Sequence, residues 1–182
     1  MNTQIVISGF GGQGVLSIGR LLAEAAMAED RQVCFVPSYG AEMRGGTSNV
    51  TVIISDEKIR CPLAIPGRVD VVAALNRPSV EKFQSYLKPG GLLIVNSDLV
   101  DEMEYRGDVR VLQIAANTAA ERLGNARAAN MIISGAIQKA GGILQKDSLL
   151  QSLRRMFGGE KQALFEVNKT VLLAGMDCAE PA

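Results

Sequence analysis

Gln4-Ile5-Val6-Ile7-Ser8-Gly9-Phe10-Gly11-Gly12-Gln13-Gly14-Val15 sets a short apolar run directly against a glycine-rich turn. Residues 15–29 then place Val15, Ile18, Leu21, Leu22, Ala25 and Ala26 at helical spacing. A buried strand, a glycine turn and an amphipathic helix in succession open a strand–helix–strand unit, and that unit decides the fold class.

Working outward, residues 32–36 form a second apolar run that Pro37 is expected to stop, and residues 37–46 read as an irregular loop. Residues 47–55 are β-branched and alternate, as a strand does. Ser55-Asp56-Glu57-Lys58 reads as a hairpin turn, with residues 58–61 returning. Residues 69–75, 91–96 and 109–114 read as further strands, and residues 89–91 as a turn. Helices are expected over 78–87, with Pro78 in its first turn, and over 128–140, ended by Gly141-Gly142. Residues 148–157 and 161–174 complete a helical C-terminal part, with Asp147 as the N-cap of the first of these two helices. The expected fold is α/β and Rossmann-like: a mostly parallel open sheet with helices on both faces, a β-hairpin insertion over 47–61 and a helical C-terminal part. Residues 1–182 are expected to form one domain.

Composition narrows the function classes. The chain has 182 residues, 47% hydrophobic and 21% charged, and its nineteen basic and nineteen acidic residues cancel. Nothing in that balance favours nucleic acid or a membrane surface. The N-terminus has no basic stretch followed by a long apolar one, and no run approaches the roughly 18 apolar residues of a membrane span. Cys34, Cys61 and Cys178 lie far apart, so reduced thiols and a cytoplasmic location are expected. The absence of histidine removes the commonest general base and metal ligand. Without a cysteine cluster the chain is expected to carry no iron–sulfur cluster and no zinc, and no metal or catalytic residue is assigned.

Gly9, Gly11 and Gly14 satisfy GxGxxG between a strand and a helix. Glycines let a ligand approach the backbone, and the helix N-terminus offers free N–H groups to a phosphate. Two readings stand: Gly9, Gly11, Gly12, Gln13 and Gly14 bind a cofactor, or the glycines only let strand and helix pack closely. NAD is disfavoured, because the ribose-binding acid expected about 20 residues on is missing from Val33-Cys34-Phe35-Val36-Pro37-Ser38. A P-loop is excluded by the missing Gly-Lys-Ser/Thr.

The second distinctive stretch is Ser38-Tyr39-Gly40-Ala41-Glu42-Met43-Arg44-Gly45-Gly46-Thr47-Ser48. Arg44 can grip a phosphate or carboxylate bidentately, while Gly45, Gly46 and Thr47 admit a ligand or a partner chain. The alternative is an internal Glu42–Arg44 ion pair bracing the turn. Arg20 is a candidate second charge, with a solvated helix face as its plainer reading. Asn76 and Asn96 end strands and are weaker crevice candidates. Asp70 needs a partner, Met131, Met156 and Met176 read as core, and Cys34 as a small buried hydrophobe.

GFGGQGV (residues 9–15), YGAEMRGGTSNVTVIISDEKI (39–59), CPLAIPGRVDVVAALN (61–76) and PGGLLIVN (89–96) together resemble the gamma subunits of 2-oxoacid:ferredoxin (acceptor) oxidoreductases over about the first hundred residues. The wording of the second stretch is most similar to the 2-oxoglutarate type, with branched-chain and pyruvate types close. The resemblance implies a Rossmann-like gamma domain in a complex that oxidatively decarboxylates a 2-oxoacid with coenzyme A to acyl-CoA and CO2, reducing ferredoxin. It implies that thiamine diphosphate and magnesium belong to alpha and beta subunits, and the iron–sulfur clusters to beta or a ferredoxin-like delta subunit. It further implies coenzyme A near the glycine loop, and no activity from this chain alone. Two rivals remain: a purely structural docking subunit, and a free-standing NAD(P)-binding oxidoreductase.

Overall fold

The computed structural model describes residues 2–40, 46–158 and 162–179. Six strands form one open sheet in the order β2-β3-β1-β4-β5-β6. β1 (Asn2–Phe10) sits centrally because Ile5, Val6 and Ile7 are apolar on both faces. Its neighbour β4 (Val69–Ala74) runs parallel to it, as do β5 (Leu87–Asn96) and β6 (Arg110–Ile114) in turn. On the other side β3 (Thr47–Ser55) runs antiparallel to both β1 and the edge strand β2 (Gln32–Tyr39). The sheet is therefore mixed, with β3 alone reversed.

Helices cover both faces. α1 (Val15–Ala28) and α4 (Ala129–Gly141) pack Ile18, Leu22, Ile132 and Ile133 against Ile5, Ile7, Val52 and Ile94 on one face. α3 (Ala116–Arg122), α5 (Lys146–Phe157) and α6 (Gln162–Asp177) extend that layer. α2 (Arg77–Phe83) covers the other face, setting Val80 and Phe83 on Val6, Val72, Leu93 and Val95. Burying each such side chain contributes about 1.5–3 kcal/mol against leaving it in water. α4 and α6 approach so closely that a Cβ at Gly135 would run into the Leu172 carbonyl, and one at Gly175 into that of Ile132. Met131 and Met176 are buried and Met156 is packed on the same core.

Several expectations need correction. The hairpin is β2–β3 across residues 40–46, and residues 58–61 form no strand. The reason is occupancy: β3 already has β1 on one edge and β2 on the other, so no third partner fits. Pro37 does not stop β2, because β2 is an edge strand where a missing N–H is tolerated. The turn at 89–91 is taken into β5, with Gly90 at φ 74° and a register shift opposite residues 69–71. α5 begins before Asp147; Gln145 is its N-cap residue, and Asp147 lies in the first turn, where its charge suits the helix dipole. α3 has no counterpart in the sequence reading.

Candidate functional site: the cleft at the glycine loop

β1 ends at Phe10 and the chain turns into α1 through Gly14, which adopts φ 77° and ψ 19° as the N-cap. A side chain is doubly disfavoured there, by the left-handed backbone and because a Cβ would stand 2.6–2.9 Å from Asn130. No side chain caps the helix, so the first-turn N–H groups of α1 keep no intrahelical acceptor. Gly9 packs tightly, its missing Cβ standing against Leu75, Val15 and Gln13. Close packing thus explains Gly9. Gly12, at φ 97° with open space beyond it, is free to meet a ligand.

Gln13 is turned back into the fold. Its Oε1 accepts the Phe10 N–H and the Asn76 Nδ2–H, and its Nε2 donates to the Leu75 carbonyl at 3.2 Å. Asn76 in turn caps α2 by accepting from the Ser79 N–H at 3.0 Å, and Ser79 Oγ donates to Ser8 Oγ at 2.9 Å. This polar chain fixes the glycine turn to the ends of β1 and β4.

The two stretches singled out in the sequence are neighbours. Gly11 N–H donates to the Gly46 carbonyl at 3.0 Å, Phe10 pairs with Thr47, and Gly40 N–H donates to the Thr47 carbonyl at 2.8 Å. Gly11 thus spends its N–H on Gly46. Arg44, Gly45 and Glu42 lie outside the described residues. Arg20 forms an i,i+4 ion pair with Glu24 at 2.7 Å on an exposed helix face, its plainer reading.

Beside the glycine turn, over the carboxyl ends of β4 and β5, opens a cleft of about 350 Å³ lined by Gly12, Gln13, Asn96, Asn117, Arg127 and Asn130 together with Leu75, Leu99 and two alanines. Asn96, almost fully buried, accepts from the Ala116 N–H at 3.2 Å and donates to Asn117 Oδ1 at 2.8 Å, so it anchors α3 to the cleft wall. α4 begins on the same wall, and no side chain caps it either. Arg127 is exposed and ion-pairs with no described residue. Sequence reasoning found Asn96 but missed Asn117, Arg127 and Asn130. They cluster only because α3 and the short turn Ala126–Ala128 fold over the strand ends.

Two uncapped helix N-termini, one guanidinium and several amides make this cleft attractive to an anion. Its lining carries no carboxylate, thiol or hydroxyl, so it has groups for binding and orienting but none for attack or proton transfer. The dinucleotide arrangement is also altered, since β3 stands between β1 and β2 and separates the glycine turn from the second strand. Among the described residues, no three His, Cys, Asp or Glu side chains group as a metal site, and no helix is long and apolar enough to cross a membrane.

Comparisons with known proteins converge. The sequence model of the pyruvate ferredoxin/flavodoxin oxidoreductase family matches residues 4–178. The ketoisovalerate oxidoreductase subunit VorA of Methanothermobacter thermautotrophicus is 37% identical over 97% of this chain, which spans 36% of that protein's length. The 2-oxoglutarate synthase subunit KorC of the same organism is 33% identical over 94% of this chain and 96% of its own length. The crystal structure of the keto/oxoacid ferredoxin oxidoreductase gamma subunit from Geobacter sulfurreducens superposes with a TM-score of 0.82 at 32% identity, covering 97% of this chain and 98% of that one. A 2-oxoglutarate:ferredoxin oxidoreductase from Magnetococcus marinus, solved with 2-oxoglutarate, coenzyme A and succinyl-CoA bound, shares the fold with a TM-score of 0.88 at 24% identity, this chain covering 31% of it.

Proposed function

The chain belongs to the pyruvate ferredoxin/flavodoxin oxidoreductase family, and from that premise we propose that it is the gamma-type subunit of a cytoplasmic 2-oxoacid:ferredoxin oxidoreductase complex. In this reading it forms one wall of the coenzyme A site and docks against alpha and beta subunits that hold thiamine diphosphate and magnesium. The iron–sulfur clusters belong to beta or to a ferredoxin-like delta subunit. The complex oxidatively decarboxylates a 2-oxoacid, with coenzyme A as acyl acceptor and ferredoxin as electron acceptor.

The observation that carries this reading is the Gly11–Gly46 hydrogen bond beside an uncharged-to-basic cleft. It sets the glycine turn and the start of β3 together at the carboxyl end of β1, with open helix N-termini alongside. The phosphates of coenzyme A suit such a place: Gly12 and Gly14 offer backbone, α1 and α4 offer their N-termini, and Arg127 offers a charge. Arg44, Gly45, Gly46 and Thr47 would close the site from the β2–β3 hairpin. Within the family the 2-oxoglutarate reading draws on KorC relatives that match this chain nearly end to end. The branched-chain reading draws on the slightly higher identity to VorA. Turnover of the assembled complex with 2-oxoglutarate, 2-oxoisovalerate and pyruvate in parallel decides between them.

Arg44→Ala in the assembled complex tests the role of this chain. Intact assembly with a raised KM for coenzyme A supports ligand contact. Loss of assembly would show that the loop serves docking instead.

A further inference from the structure

A second polar pocket lies at the opposite end of the central strands, beside the start of β1 and the end of β3. The segment 56–68 leaves the end of β3, runs past the first residues of β1 and returns into β4. It is pinned there: Ile65 N–H donates to Gln4 Oε1 at 3.2 Å, Arg68 N–H to the Ile65 carbonyl at 3.0 Å, and Glu57 N–H to Ser55 Oγ at 3.1 Å. Between this strap and the sheet lies a pocket of about 440 Å³, whose wall carries Lys58, Arg60 and Arg68 against a single carboxylate, Glu57.

Three cations share that one concavity, and among the described residues they lack the carboxylate partner that several other cations of the molecule have. Arg20, Arg31, Arg77, Lys88 and Arg106 each pair with a carboxylate within 3.0 Å. Lys58, Arg60 and Arg68 pair with no described carboxylate and are exposed. Like charges sharing one concavity repel each other and focus a positive field into it. An anion relieves that repulsion, and two guanidinium forks with an ammonium suit a ligand bearing more than one oxyanion. The volume is that of a small-molecule site.

We propose that this pocket binds a small organic polyanion carrying two or more phosphate or carboxylate groups, independently of the glycine-loop cleft. Titration of the full chain by calorimetry at about 0.1 M salt, with pyrophosphate in one arm and citrate in the other, tests it and separates the two sources. The expected result is saturable binding of at least one probe with a dissociation constant at or below about 1 mM. In Arg60→Ala/Arg68→Ala that binding weakens about tenfold or more, while Arg122→Ala, an exposed arginine outside the pocket, leaves it unchanged. Pyrophosphate held at the glycine turn would survive the double substitution. No saturable binding of either probe, or binding equal in the double variant and the parent chain, overturns the proposal.

Discussion

The Gly11 N–H donates to the carbonyl of Gly46 at 3.0 Å, tying the turn after β1 to the start of β3. These residues are 35 positions apart in the chain, yet the antiparallel pairing of Phe10 with Thr47 makes them neighbours. The glycine turn at the head of α1 therefore stands beside Gly46 and Thr47 at the start of β3. That the two stretches meet at the carboxyl end of β1 is the geometric condition on which the coenzyme A reading depends.

Arg127→Ala should leave the complex assembled and raise KM for coenzyme A by about tenfold, the size expected for one charge-assisted contact to a phosphate, with kcat little changed. Steady-state kinetics with varied coenzyme A checks it. An unchanged KM would remove Arg127 from the site.

Gly14→Ala should destabilise the chain by about 1–2 kcal/mol from the left-handed backbone alone, plus the cost of moving Asn130. Urea denaturation measures the change. Gly12→Ala, with open space for its Cβ, should cost the backbone term and nothing more.

Gly135→Ala should destabilise by about 1–3 kcal/mol or more through overpacking, because α4 and α6 meet backbone to backbone there. A thermal midpoint lowered by several degrees in the full chain is the expected reading. An unchanged midpoint would mean that α6 docks less closely than the structure has it.

Arg106 holds Asp108 through Nε–Oδ1 at 2.9 Å and Nη2–Oδ2 at 2.6 Å, and the guanidinium beside it keeps that carboxyl below the usual carboxylate range. A lowered folded-state pKa contributes stability above the unfolded value of about 3.9, lost as pH falls through the folded value. The stability gap between the parent chain and Asp108→Asn should therefore be present at neutral pH and vanish in acid below the lowered pKa. Denaturation midpoints across that range check it.

Much of this fold is legible in the sequence because the parallel core is written as apolar runs: residues 4–8, 69–75 and 91–96 read as strands since both faces are buried. What escaped depends on neighbours. Pro37 reads as a stop until β2 is known to be an edge, and residues 58–61 read as a strand until β3 is known to have both edges filled. α3 is short and alanine-rich, its placement set by Asn96 and Asp98 reaching across to Ala116 and Thr118. In the site, the glycine turn carries a local signature. Arg127, Asn117 and Asn130 carry none, because what unites them is the crossing of distant elements over one cleft. Gln13 shows the reverse: it stands within the motif, yet its side chain serves Leu75 and Asn76.

The central claim is best tested by solving the assembled complex with coenzyme A bound. The account predicts a phosphate of coenzyme A within hydrogen-bonding reach of the Gly12–Gly14 backbone or the first turn of α1, with Arg127 or Arg44 on the same ligand. Coenzyme A bound away from both the glycine turn and the β2–β3 hairpin would contradict it.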